Sequence, residues 1–201
     1  RYIPLVKKFT ELSQRDLKGN IYNICYDFYR ANKTDADFST TAIHGVDAVR
    51  YLMGEDYQEI NFYYQDIKKD DQVVTNTTME CRFPSGKTAQ LCFFPLSGLI
   101  VERATINYPD STVFLKLPIW NEYDAPGELL LLKEKMVEKK ISGQELINSQ
   151  DMYITNGFYA ENESFFNTIK EGKVPENDVT TGLQSVEVIE CIRNRQEKYK
   201  H

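Results

Sequence analysis

The chain has 201 residues, 41% of them hydrophobic and 27% charged, with a formal net charge of −6. That composition fits a folded globular protein with enough chain for one large domain or two small ones, and the negative balance argues against a surface built for nucleic-acid phosphates. No apolar run approaches the ~20 residues of a membrane span, and the opening RYIPLVKKFTEL lacks a signal-peptide layout.

Pro4 suits the first turn of a helix striped by Val6, Phe9 and Leu12, with Leu5 beside them. Gly19 and Asn20 punctuate, and IYNICYDFYR (21–30) reads as an aromatic and β-branched strand. After the polar stretch ANKTDADFS, the spacing predicts a helix that Ser39, Thr40 or Thr41 can cap and Gly54 can end. On it Thr40, His44, Asp47 and Tyr51 share one side, while Ala42, Val46, Val49 and Met53 form the apolar side.

From 57 to about 117 the pattern is strand after strand, broken by KKDDQ, PSG, SG and DS. Short turns between long alternating segments predict antiparallel neighbours. In 119–150 one further strand falls near 128–133, and VEKKISGQELI reads as irregular. Two helices finish the chain. Phe158, Phe165 and Ile169 stripe the first, which ends at Gly172; Val179, Leu183, Val186 and Ile189 stripe the second, capped by Asp178 and carrying Arg193, Arg195, Lys198 and Lys200 at its negative end. Terminal His201 reads as outside the fold. The expected architecture is a single α+β domain over 1–201, an open, mostly antiparallel β-sheet with helices packed on one face. Too few helices remain to cover the second face, which predicts a homodimer or higher homo-oligomer through it.

Cys25, Cys81, Cys92 and Cys191 show no CxxC and no metal-like spacing to the histidines, so they are expected to be buried free thiols in a reducing cytoplasm, and no metal is expected. The chain has no GxGxxG, P-loop, HExxH or GxSxG motif. His44 is the candidate for chemistry. The nearby helix N-terminus disfavours its imidazolium, Asp47 favours the cation or fixes one ring tautomer, and Thr40 adds a hydroxyl on the same side. That set suits a general acid or base.

The order of parts, RYIP, a strand, H-x-x-D-x-x-R-Y-L-M-G, a meander with FPSG, then GFYAENESFFNTIKEGKVPENDVTTGLQSVEVIECI, resembles the C-terminal domain of the Gfo/Idh/MocA oxidoreductases, relatives of glucose–fructose oxidoreductase and inositol dehydrogenase. The resemblance implies a preceding Rossmann domain, apparently absent from this chain, that binds NAD or NADP and carries a catalytic lysine. It also implies hydride transfer to or from a sugar, cyclitol or related polyol. The fragment alone is then expected to be inactive. His44 matches the histidine of the family's Asp-x-x-x-His signature, and Thr40 stands in place of the aspartate. Three outcomes stay open: lysine and histidine suffice, Asp47 or Asp37 compensates, or the usual chemistry is lost. By the same resemblance Tyr2, Thr40 and Asp47 fall near substrate and Arg1 near the cofactor. The alternative function is a non-catalytic binding or assembly module on the same scaffold, which Thr40 favours and His44 disfavours.

Overall fold

The computed structural model describes residues 1–15, 17, 20–34 and 38–201. Gly19 and Asp37, used above as punctuation and as a candidate acid, lie outside the described residues. Proline opens α1 (Pro4–Arg15), whose Leu5, Val6, Phe9 and Leu12 are buried as its spacing predicts. β1 (Asn23–Ala31) alternates, with Ile24, Tyr26 and Phe28 turned into the core. α2 (Ser39–Met53) buries Ala42, Val46, Val49 and Met53 and stops at Gly54, left-handed at φ 68°. Its start differs from expectation. Phe38 already has right-handed helical backbone and accepts from the N–H groups of Thr41 and Ala42, so Ser39, Thr40 and Thr41 lie inside the helix instead of capping it.

The meander follows as β2 (Glu59–Lys69), β3 (Gln72–Arg82), β4 (Thr88–Ser97), β5 (Val101–Asn107) and β6 (Ser111–Lys116), then β7 (Glu128–Lys133) and β8 (Met136–Ser142). β8 covers most of the stretch read as irregular. It is an edge strand, paired only through β7 and mostly exposed, with Met136, Val137, Glu138 and Lys140 facing solvent, so it needs no apolar period. Short α3 (Gly143–Leu146) and α4 (Met152–Thr155) lead to α5 (Phe158–Lys170), α6 (Val179–Arg193) and β9 (Lys198–Lys200). Lys198 and Lys200 therefore belong to a strand beside β2, not to the helix end, and the His201 N–H extends that edge by bonding the Gln58 carbonyl at 3.1 Å.

Among the described residues the strands form one nine-stranded sheet in the order β8-β7-β6-β5-β1-β4-β3-β2-β9. Every pair is antiparallel except β1–β4, because β1 is inserted between two strands that follow each other in sequence. α2 lies over that insertion. Gly45 allows the close approach: a Cβ there would stand 2.8 Å from the Phe93 ring.

α6 packs on α2 with a different face from the one its apolar stripe suggests. Gln184, Ser185, Val188, Ile189 and Cys191 are buried, while Val179, Leu183 and Val186 are 89%, 57% and 49% exposed. Polar anchoring decides the orientation. The Gln184 amide accepts from the Tyr57 N–H and donates to the Tyr57 carbonyl, both at 2.8 Å, inside the core. Replacing Gln184 with Leu orphans both backbone groups, at about 1–3 kcal/mol each; thermal melting should show a Tm lowered by about 4 °C or more. α5 departs further, since none of its residues is buried and Phe158, Phe165 and Ile169 face solvent in this chain.

The second face of the sheet is open. It presents Cys25, Tyr29, Tyr63, Phe94 and Phe114 among polar neighbours, with Tyr29 and Phe94 stacked at 5.0 Å. Only Cys81 and Cys191 are buried; Cys25 is exposed and Cys92 half-buried because their strand parity places them on this open side. Among the described residues no helix is long and apolar enough to cross a membrane.

Candidate active site

Helical spacing turns His44 and Asp47 away from the face that α2 packs on β1 and β4, and both line a cavity of about 610 Å³. Thr41, one residue beyond Thr40, lines it as well; Thr40 is exposed and stands outside the lining. Arg1 and Tyr2 form part of the wall from the start of the chain. The structure thus gathers His44, Asp47, Arg1 and Tyr2 around one space and leaves Thr40 at its margin.

His44 is exposed, with its ring accessible from the cavity side of the helix. Asp47 does not hold it. The Asp47 carboxylate accepts from the Arg1 guanidinium at 2.7 Å, from Ser185 Oγ at 3.3 Å and from Arg50 at 3.5 Å. Arg1 also lies over the Tyr51 ring, 5.1 Å from its centroid. Asp47 is consequently a strut joining the first residue, α2 and α6, and its expected role in fixing the imidazole tautomer is replaced by a structural one. The Tyr2 hydroxyl reaches Ser164 and Asn177, both at 3.5 Å, which ties the start of the chain to α5.

The closed end of the cavity holds three polar residues that the sequence reading missed. Tyr26, Phe28 and Arg30 point the same way along β1, and Glu102 of β5 sits directly opposite Phe28, so its carboxylate falls between Tyr26 and Arg30. Tyr26 Oη donates to Glu102 Oε2 at 3.0 Å, and Arg30 Nη2 donates to Glu102 Oε1. The guanidinium also covers the Phe28 ring at 3.7 Å. Burial pushes the Tyr26 phenol well above its ordinary pKa, and the adjacent Glu102 charge and hydrogen bond push the same way, so the phenol stays a donor. A glutamate at the same strand parity as Ala104 and Ile106 in VERATIN was the available signal.

At the other end Trp120 stacks on Phe158, with centroids 5.6 Å apart and planes 23° apart. Gly157 is the one glycine among the described lining residues, and its backbone (φ 86°) packs so tightly on Tyr2 and Ile3 that a Cβ would stand 2.6 Å from the Ile3 nitrogen. That space is filled by protein, so it is no cradle for a pyrophosphate. The described lining does not fit a complete dinucleotide.

A sequence profile described as the C-terminal alpha/beta domain of an oxidoreductase family, Gfo/Idh/MocA, matches residues 30–200. The chain belongs to that family. Solved structures similar to this Gfo/Idh/MocA domain include a dehydrogenase from Clostridium difficile (15% identity, TM-score 0.75, covering 97% of this chain and 59% of that one). Another is the UDP-N-acetylglucosamine 3-dehydrogenase of Acidithiobacillus ferrooxidans (16% identity, TM-score 0.75, 98% and 59% covered). A third is a levoglucosan dehydrogenase in complex with NADH (14% identity, TM-score 0.76, 100% and 63% covered). This chain therefore spans about three-fifths of the length of those proteins, with which it shares the fold. A search of curated proteins returned no match.

Proposed function

We propose that this Gfo/Idh/MocA domain is the substrate-binding and pairing domain of an NAD- or NADP-dependent oxidoreductase acting on a sugar, cyclitol or related polyol. The observation that carries the reading is His44, exposed on the wall of a cavity that is also lined by a buried tyrosine–glutamate–arginine network. A nicotinamide cofactor, which on this reading would be held mainly by a separate domain, would supply the hydride acceptor or donor. His44 removes the proton of the carbinol hydroxyl as that carbon becomes a carbonyl, and returns it in the reverse direction. Without that transfer the oxidised carbon would keep a protonated oxygen. Tyr26 and Glu102 offer fixed hydrogen-bonding groups for hydroxyls further along the substrate, and Arg30 holds the Glu102 charge in place. On this reading Arg1, ion-paired with Asp47 on the cavity wall, is assigned to the cofactor, and Tyr2, Thr40 and Asp47 to the substrate.

The test is a panel of sugars and polyols with NAD+ and NADP+ on the product of the whole reading frame that encodes this chain, followed by formation of reduced nicotinamide. Turnover of at least one neutral polyol is expected. Its absence across the panel would leave a non-catalytic binding module.

Pairing through the open sheet face has its own readout in Cys25, which that face exposes. Partial burial and the neighbouring Asp27 charge raise the thiol's pKa, so alkylation should accelerate only above the pH usual for a free thiol. At fixed pH, modification of Cys25 measured by mass spectrometry is expected to slow as protein concentration rises and the two faces meet.

A further inference from the structure

The aromatic end of the cavity is more ordered than two exposed rings need to be. Trp120 is 52% exposed and Phe158 42%, so neither ring is there to fill the core. Trp120 has φ 48°, a left-handed backbone conformation unfavourable for a bulky residue and found mainly where the surroundings enforce it, as at ligand clamps. The surroundings do enforce it. The Asn156 side chain accepts the Trp120 N–H at 2.9 Å, and Asp124, almost fully buried, makes a two-pronged bond with Arg103 at 2.6 and 2.9 Å that fastens the same loop to β5. Trp120, Asn156 and Phe158 all line the cavity that holds His44. A strained, doubly anchored tryptophan with half its surface open is a preorganised stacking platform.

We infer that Trp120 and Phe158 form an outer subsite for a second sugar ring, so that the substrate is a neutral glycoside and not a free monosaccharide or cyclitol. The inference rests on the saccharide reading above and deepens it. A pyranose ring has an apolar C–H face that stacks on indole, and the cavity, within the roughly 300–1,000 Å³ of sites for larger ligands, has room beyond one ring. The charge of the described lining disfavours the nucleotide sugars, which would also stack. In the described lining Arg1, Arg30 and Lys33 are matched by Asp47, Glu102 and Glu161, and Arg1 and Arg30 are committed to ion pairs, which leaves no cationic surplus for a diphosphate.

Trp120 is the single tryptophan of these 201 residues, so the fluorescence difference between the parent and Trp120→Phe reports on this subsite alone. Titration of the product of the whole reading frame, read as that difference, with glucose, myo-inositol, maltose, cellobiose, lactose and UDP-glucose should give a saturable emission change with at least one disaccharide. That disaccharide should bind about tenfold more tightly than either single-ring ligand, the gain one aromatic stack supplies. In Phe158→Ala, which alters a residue on a helix with no buried side chain, the ratio should collapse toward one. Equal or tighter binding of glucose or myo-inositol, or preference for UDP-glucose, overturns the glycoside inference and leaves the saccharide reading standing. Absence of binding by every saccharide, checked by calorimetry, overturns both.

Discussion

Replacing His44 with Gln should lower turnover of the whole enzyme by about 10²–10⁴-fold, the usual contribution of a positioned acid or base. Glutamine keeps the polarity and approximate size of imidazole but cannot exchange a proton at neutral pH, so the substitution isolates that single property. The fold should be indifferent to it. His44 is exposed on the outer side of α2, whose packing against β1 and β4 runs through Ala42, Gly45, Val46 and Val49. An exposed change of this kind is worth within about 0.5 kcal/mol, or about 1–2 °C in Tm. Steady-state kinetics beside a melting curve therefore separates the two roles: lost turnover with an unchanged Tm assigns His44 to proton transfer, and wild-type turnover removes it from the mechanism. Because Asp47 is engaged by Arg1, Arg50 and Ser185, Asp47→Asn should behave differently and weaken the seating of Arg1 and α6 along with activity.

The contrast between those two residues shows how far a sequence reads into a site. Spacing on α2 was enough to place His44 and Asp47 on the polar side, since a helix converts sequence separation directly into angle. It could not say what Asp47 touches, because Arg1 and Ser185 come from positions 46 and 138 residues away. The same limit explains α6. Its apolar period is real, yet Gln184 and Ser185 bond to groups on and beyond α2 and turn the helix so that Val179, Leu183 and Val186 face outward while Ile189 stays in the core. On α5 the stripe was also legible, yet none of it is buried within the described residues: Phe158 is partly covered by stacking on Trp120, and Phe165 and Ile169 stay exposed. Strand existence was easy where alternation reflects one covered face, as in β3 and β5, or where aromatic and β-branched residues cluster, as in β1, and failed for β8 and β9, edge strands whose lysines carry no such pattern. The placement of β1 between β4 and β5 left no local trace. It is a consequence of the whole sheet, and it is also what brings Tyr26 and Arg30 beside Glu102.

That trio gives the largest expected stability effect. Glu102 and Arg30 have side chains only 9% and 12% exposed, so removing one charge strands the other where water solvates it poorly. Arg30→Met should cost about 3–5 kcal/mol, and Glu102→Gln should cost a comparable amount, because in each case a buried ion loses its counter-ion. Arg30→Met combined with Glu102→Gln should cost markedly less than the sum, since no uncompensated charge remains and methionine can fill the space over Phe28. Denaturant unfolding of the four proteins measures the coupling directly; additive losses would mean that the two side chains are solvated independently and that the buried pair described here does not hold. Activity should follow a different order. The double variant recovers stability but no longer presents a carboxylate at the closed end of the cavity, so its KM for a polyol should stay raised even where its Tm approaches that of the parent. Separation of the two readouts distinguishes a network kept for substrate from one kept only to hold β1 against β5.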